Sequence, residues 1–391
     1  MPFRRIPRRV PYILAGSLSA LVLSGCMPAE EEGLARDKKV VLTKAHGPNN
    51  AITDVPGIRV GHYQKADSGY LTGTTVVWAP GGATGSAYVG GGWPGTVNTD
   101  VLQPGKNEQK LDAVMLSGGS YFGLDAFGGV IRWLEENKQG VSVGPTPSHV
   151  DPLVAGAVVF DLDRGGVFSA RPDGTFGREA IARASGGKIE QGNVGAGIGT
   201  QTNGDIRFKG GVGTSSAVIG GSVTVGAIAV VNPLGTPVDP TDCSLRGTSI
   251  NIDNEFSGYR KPDPQECEKL KSAATRISEA GSTKSSSAHP NTTISVIATD
   301  AKLTKHQARE LAKALNDGYA GIITPFNAAE DGDSVFTMAT DRVEVSDEQF
   351  QELLGVAREL AGRTVAHAML SAKSTHAIQS YCDALPAACL P

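Results

Sequence analysis

The sequence is short of charge and of aromatic rings. Of its 391 residues, 19% are Asp, Glu, Lys or Arg and 6% are Phe, Trp or Tyr. So little charge excludes a coiled coil, which is built from charged helix formers. With 40% hydrophobic residues, an intrinsically disordered chain is excluded as well. After residue 25 no apolar run is long enough to span a bilayer. There is no internal repeat, no Gly-x-Ser-x-Gly elbow and no His-Glu-x-x-His helix, so the sequence marks of α/β-hydrolases and zincins are missing. The seven histidines are scattered, at 46, 62, 149, 289, 306, 367 and 376. No metal and no cofactor is expected. Basic residues do not predominate, and the net charge of −4 gives nucleic acid no electrostatic footprint.

Glycine is abundant, with 50 residues against a usual share of about 7%. The glycines have no three-residue period, which excludes collagen. Beside many Val and Ala they point to tight turns and close packing between layers of an α/β protein.

Residues 1–25 read as a signal peptide. Arg4-Arg5-Ile6-Pro7-Arg8-Arg9 is a positive n-region, and Val10 to Leu23 is an apolar h-region too short for a good membrane span. Leu23-Ser24-Gly25-Cys26 resembles a bacterial lipoprotein cleavage site, which implies that Cys26 becomes the lipidated N-terminus and anchors an exported protein to a membrane. Removing residues 1–25 takes four of the 36 basic residues and none of the 40 acidic ones, leaving an acidic mature chain. Residues 26–48 are charged and poor in aromatics, as a tether would be. Four cysteines remain. Pairing Cys243 with Cys267 and Cys382 with Cys389 is the simplest of three connectivities. Zinc is the alternative, although the spacings are not those of paired CxxC knuckles.

Strands are expected at Ile58–Val60, Thr74–Trp78, Ala113–Leu116, Val154–Leu162, Thr292–Thr299 and Ser334–Ala339. The almost wholly apolar Val223–Val231 reads as a buried central strand. Helices are expected over Tyr121–Lys138, Arg178–Ala184 and, capped by Thr304, Lys305–Tyr319. Ser346 and Gln349 form a capping box for a long helix that carries Phe350, Leu353, Leu354, Ala357 and Leu360 on one stripe. Residues 275–291 read as a flexible loop. Gly195-Ala196-Gly197-Ile198-Gly199 is not a dinucleotide loop, because its spacing is wrong and no helix follows; a glycine-rich strand pair is expected there.

The loop's end, His289-Pro290-Asn291, runs abruptly into Thr292-Thr293-Ile294-Ser295-Val296. Self-cleavage needs such a junction. A hydroxyl at the start of a buried strand attacks the carbonyl just before it, and the resulting ester is hydrolysed. The freed Thr292 would then carry nucleophile and base on one residue, since its α-amino group, with an ordinary pKa of about 7.7 to 8.0, can take the hydroxyl proton.

Over residues 52–345 the chain resembles the L-aminopeptidase/D-esterase family of self-processing hydrolases, which includes β-peptidyl aminopeptidases and a nylon-oligomer hydrolase. The resemblance lies in Ile52-Thr53-Asp54-Val55-Pro56-Gly57, Gly91-Gly92-Trp93-Pro94-Gly95-Thr96, Leu116-Ser117-Gly118-Gly119-Ser120, Gly192-Asn193-Val194-Gly195, Lys209-Gly210-Gly211-Val212-Gly213-Thr214, Asn291-Thr292-Thr293 and Asp331-Gly332-Asp333. It implies a four-layer α/β/β/α sandwich like that of ornithine acetyltransferase. It also implies a large chain, 49–291, and a small chain, 292–391, that stay together within a homo-oligomer. It casts Thr292 as nucleophile, Asn291 as donor of the carbonyl attacked in maturation and Asn232 as oxyanion donor. Asp331 and Asp333 become the acidic pair, and Lys209 a charge near the nucleophile. Phe160 falls where some members place an oxyanion-assisting Tyr, so Tyr121 or a backbone N–H would have to substitute. The implied activity is that of an aminopeptidase, amidase or esterase on short peptides or amides. A non-enzymatic binding module on the same fold and an acyltransferase are the alternatives.

Overall fold

The computed structural model describes residues 45–280, 291–375 and 378–389. The expected signal peptide, Cys26 and most of the expected tether lie outside them, as do residues 281–290.

Eleven strands are present among the described residues: β1 (Arg59–Lys65), β2 (Thr72–Val89), β3 (Thr96–Val97), β4 (Leu111–Ser117), β5 (Val141–Ser142), β6 (Val150–Asp151), β7 (Val154–Val158), β8 (Gly211–Ile219), β9 (Val223–Val231), β10 (Ile294–Ala301) and β11 (Ser334–Val343). The main helices are α1 (Ala126–Glu136), α2 (Gly174–Ala182), α3 (Pro264–Ala280), α4 (Lys305–Ala320) and α5 (Asp347–Ser371); α6 (Tyr381–Ala384) is a single turn.

Hydrogen bonding runs β3-β7-β4-β2-β11-β10-β9-β8, with β1 also on β2, while β5 and β6 form a separate ribbon. β2 is long because it serves two sheets. Its residues 72–78 pair with β1 and β4, and its residues 84–89 pair with β11. The register breaks between Trp78 and Ala83, across Pro80-Gly81-Gly82.

Alternation along each strand sorts side chains into three cores. Ile228 and Val230 of β9, Val296 and Ala298 of β10, and Phe336 and Met338 of β11 meet Val114 and Leu116 of β4 between the sheets. The alternate residues Val225, Ala227, Ala229 and Val231 face α4 and α5, through Leu311, Leu315, Leu353 and Leu360. On the far side Val76, Trp78, Ala113 and Met115 pack on α1 and α2, through Val130, Leu134, Phe176 and Ile181. The layers are therefore α/β/β/α. Burial on both faces favours apolar residues, which explains the run Val223–Val231.

The expected cap at Thr304 and the expected capping box at Ser346 both form: Thr304 accepts from Gln307 N–H, and Ser346 from Gln349 N–H. Four expectations need correction. The helix expected from Tyr121 opens as a 3₁₀ turn, Ser120–Asp125, before α1 begins at Ala126. The strand expected through Leu162 ends at Val158, after which the chain turns Asp161 inward to accept from Thr72 Oγ1 and Gly119 N–H. The residues around 195–199 make a 3₁₀ turn at Gly195–Gly197 rather than a strand pair, because Gly195 at φ +49° breaks the extended backbone. Finally, α3 continues to Ala280, inside the stretch expected to be loop. Both local disulfides, Cys243–Cys267 and Cys382–Cys389, are formed.

Candidate active site

β10 enters the middle of its sheet through the Asn291-Thr292 junction. Asn291 bridges Asp331 in parallel register, and Thr292 N–H donates to the Asn232 carbonyl at 2.8 Å. The junction is thus gripped by the extensions of β11 and β9 on either side. Both residues are buried, Asn291 at 1% exposure and Thr292 at 5%. The Thr292 hydroxyl donates to the Asn291 carbonyl oxygen, so it lies beside the carbonyl it would attack. Gly332 N–H reaches the same oxygen at 3.3 Å and is shared with Asp331 Oδ1 at 3.0 Å. A Cβ on residue 332 would sit 2.8 Å from Thr292 Oγ1, so only glycine lets this loop approach so closely.

Asn232 follows β9 directly and is fully buried. Its Oδ1 accepts from Arg164 Nη1 and from Gln201 N–H at 3.1 Å, and its Nδ2 donates to the Phe160 carbonyl at 3.2 Å. Two donors on one oxygen fix which way the amide faces. Arg164 Nη2 donates to Asn291 Oδ1 at 2.8 Å, so one guanidinium ties the amide side chains of 232 and 291 together.

The two aspartates are fully buried. Asp331 Oδ2 accepts from Leu234 N–H at 3.1 Å; Asp333 accepts from Thr293 N–H at 2.7 Å and Asn327 N–H at 2.9 Å. Burial pushes Asp331 up to about 6. Burial, and then the neighbouring Asp331 charge, push Asp333 well above the usual carboxylate range. Two carboxyls this close and this buried disfavour the doubly charged state.

Lys209 is buried beside this network rather than in it. Its Nζ donates to Gly197 O at 2.7 Å, Gly210 O at 2.9 Å and Thr200 Oγ1 at 3.4 Å. Among the described residues no hydrogen bond joins it to Thr292 or Asn232. Burial, reinforced by the Arg164 charge, lowers it to about 7. Asp161, which lies close to both cations, is raised by burial to about 6.

Thr292, Asn291, Asn232, Asp331 and Asp333 are therefore brought into one hydrogen-bonded set. Arg164 is the residue that sequence reasoning missed. It stands in an irregular loop, with partners 68 and 127 residues away, and no local pattern marks it. Phe160 offers no hydroxyl, but its carbonyl orients Asn232. A small pocket opens onto Thr292 between Trp93, Tyr121, Val158 and Phe160.

Known proteins resemble the chain over most of its length. The sequence profile of Peptidase family S58 matches residues 50–382. An uncharacterized aminopeptidase of Mycobacterium tuberculosis is 40% identical over 357 residues, covering 87% of this chain and 99% of the relative. A 6-aminohexanoate-oligomer endohydrolase of Paenarthrobacter ureafaciens is 30% identical over 302 residues, 75% of each chain. Among solved structures, a Burkholderia sp. beta-aminopeptidase superposes with a TM-score of 0.61 at 22% identity, over 88% of this chain and 95% of that one. The L-aminopeptidase D-Ala-esterase/amidase of Ochrobactrum anthropi, a variant among the Ntn-hydrolase fold, gives 0.62 at 21% identity over 88% and 94%. The last two establish the fold.

Proposed function

The chain belongs to peptidase family S58, and on that premise we propose that it is a self-processing amide hydrolase whose nucleophile is Thr292. It cleaves a small N-terminal residue from short peptides or amides. The observation that carries this is the Asn291-Thr292 peptide, locked between two strands with the Thr292 hydroxyl on the Asn291 carbonyl.

In maturation Thr292 Oγ adds to the Asn291 carbonyl carbon, the C–N bond breaks, and the nitrogen takes up the hydroxyl's proton. Water then hydrolyses the ester, leaving an Asn291 carboxylate and a Thr292 amine. Gly332 N–H, already on that carbonyl oxygen, and the Asn232 amide are suited to the developing oxyanion. In turnover the new amine, oriented by the Asn232 carbonyl, accepts the proton of its own hydroxyl as Oγ attacks the substrate carbonyl. The amine leaving group departs with a proton, and water releases the acyl residue. The Asp331–Asp333 pair orients the Thr292 amine or holds the substrate amine, and Lys209 tunes the local charge.

Freshly made protein should resolve by intact mass into a small piece, 292–391, and a large piece that ends at Asn291. Thr292→Ala should remain one chain and lose hydrolysis of aminoacyl amides by at least about a thousandfold. Normal cutting in that variant would place the nucleophile elsewhere.

The same reading extends to location and assembly. Residues 1–25 are removed, Cys26 is lipidated, residues 26–48 tether the enzyme to the outer side of a membrane, and the cut pairs form a homo-oligomer. The supports are the n-region, h-region and Leu-Ser-Gly-Cys sequence, together with the family resemblance. Incorporation of labelled fatty acid that is lost in Cys26→Ser tests the anchor, and light scattering of the cut protein tests the assembly.

A further inference from the structure

We propose that Arg164 selects the acyl residue of the substrate, and that the preferred residue carries an oxygen on its γ atom, as asparaginyl and aspartyl groups do. This deepens the hydrolase reading and rests on it. Maturation and turnover present a carbonyl carbon to the same Oγ of Thr292. The acyl donor in maturation is Asn291, and in turnover it is the N-terminal residue of the substrate. Once the Asn291 end of the large piece has moved out, the substrate's side chain enters the space that the Asn291 side chain has left.

That space is equipped for an oxygen on the γ carbon. Arg164 Nη2 holds Asn291 Oδ1 at 2.8 Å. The rest of the guanidinium is fixed, with Nη1 on Asn232 Oδ1 and the plane over the Phe160 ring, 5.6 Å from its centroid. Phe160 and Thr292 both line the pocket, so the pocket and the Arg164 site adjoin. Departure of Asn291 takes away that acceptor on Nη2 in a partly buried place, and an acyl residue that restores it binds better than one of equal size that does not. Leucine, isosteric with asparagine and without the oxygen, is the natural control.

The test uses the cut protein and the 4-nitroanilides of L-asparagine, L-aspartate and L-leucine. The asparagine or aspartate compound should exceed the leucine compound by at least about tenfold in kcat/KM. In Arg164→Lys, which keeps charge but loses the planar fork, that ratio should fall to about threefold or less. A wild-type ratio near one, or a ratio unchanged in the variant, overturns the proposal. Should the variant fail to mature, product inhibition of the wild type decides: L-asparagine should inhibit at least about tenfold more tightly than L-leucine, and equal inhibition overturns the proposal. Hydrolysis of an alanine anilide without preference for an oxygen on the γ carbon defeats this proposal alone. No hydrolysis of any anilide by cut protein defeats the hydrolase reading with it.

Discussion

A buried lysine without a carboxylate in hydrogen-bond contact is rare enough to have a measurable signature. Lys209 satisfies its three donors with two carbonyls and a hydroxyl, and burial lowers it from the ordinary 10.5 to about 7. Between those two pH values the unfolded chain binds a proton that the folded chain has released. Stability contributed by this group therefore rises with pH across that window. Below pH 7 the lysine is charged in both states, and the full cost of burying the charge is felt. We expect the melting temperature of the wild type, measured against Lys209→Met, to move in the wild type's favour by several degrees between pH 7 and pH 10. A difference that stays flat with pH would mean the lysine is charged when folded.

At the scale of the element, the Asp331-Gly332-Asp333 loop places two carboxyls, one N–H and a bare Cα around the junction. A methyl on residue 332 would fall 2.8 Å from both Thr292 Oγ1 and Trp93 O. Gly332→Ala should therefore push the loop away from the scissile carbonyl and slow self-cutting by tenfold or more, seen as persistent precursor on a denaturing gel over time. The elements themselves were largely legible in the sequence. Val223–Val231 is apolar on both faces because two cores take its alternate residues, and the capping boxes at Thr304 and Ser346 are complete within four residues. Thr292, Asn232 and the two aspartates were legible through the family resemblance, and as residue types suited to the chemistry. Arg164 was not, since its meaning comes entirely from two amides distant in sequence. The turn at Gly195 was misread because a glycine-rich run states freedom but not the φ chosen.

At the scale of the molecule, the proposed cut at Asn291-Thr292 would divide the chain between residues that remain interleaved. β10 and β11 belong to the small piece, and they lie between β9 and β2 of the large piece. Each disulfide lies within one piece, Cys243–Cys267 in the large and Cys382–Cys389 in the small. Denaturing electrophoresis without reductant should thus already show two bands, while the native mass shows the pieces together. Among the buried contacts between them is a charged cluster: Arg363 on α5 ion-pairs through Nε and Nη2 with Glu255, donates to Ser216 O at 2.7 Å and donates to Asn50 Oδ1 at 2.8 Å. Arg363→Ala leaves Glu255 buried with its main partner gone. It should cost about 3–5 kcal/mol, read as a lower urea midpoint for loss of the native mass.

The amide nitrogen of Thr292 is at present a rung of the β9–β10 ladder, bonded to Asn232 O. Until the sheet has closed, that nitrogen belongs to a peptide and has no lone pair to offer a proton. On this reading the fold is its own licence. A half-made or misassembled copy is chemically inert, and every copy that carries a catalyst has already shown, by being cut, that its central strands are in register.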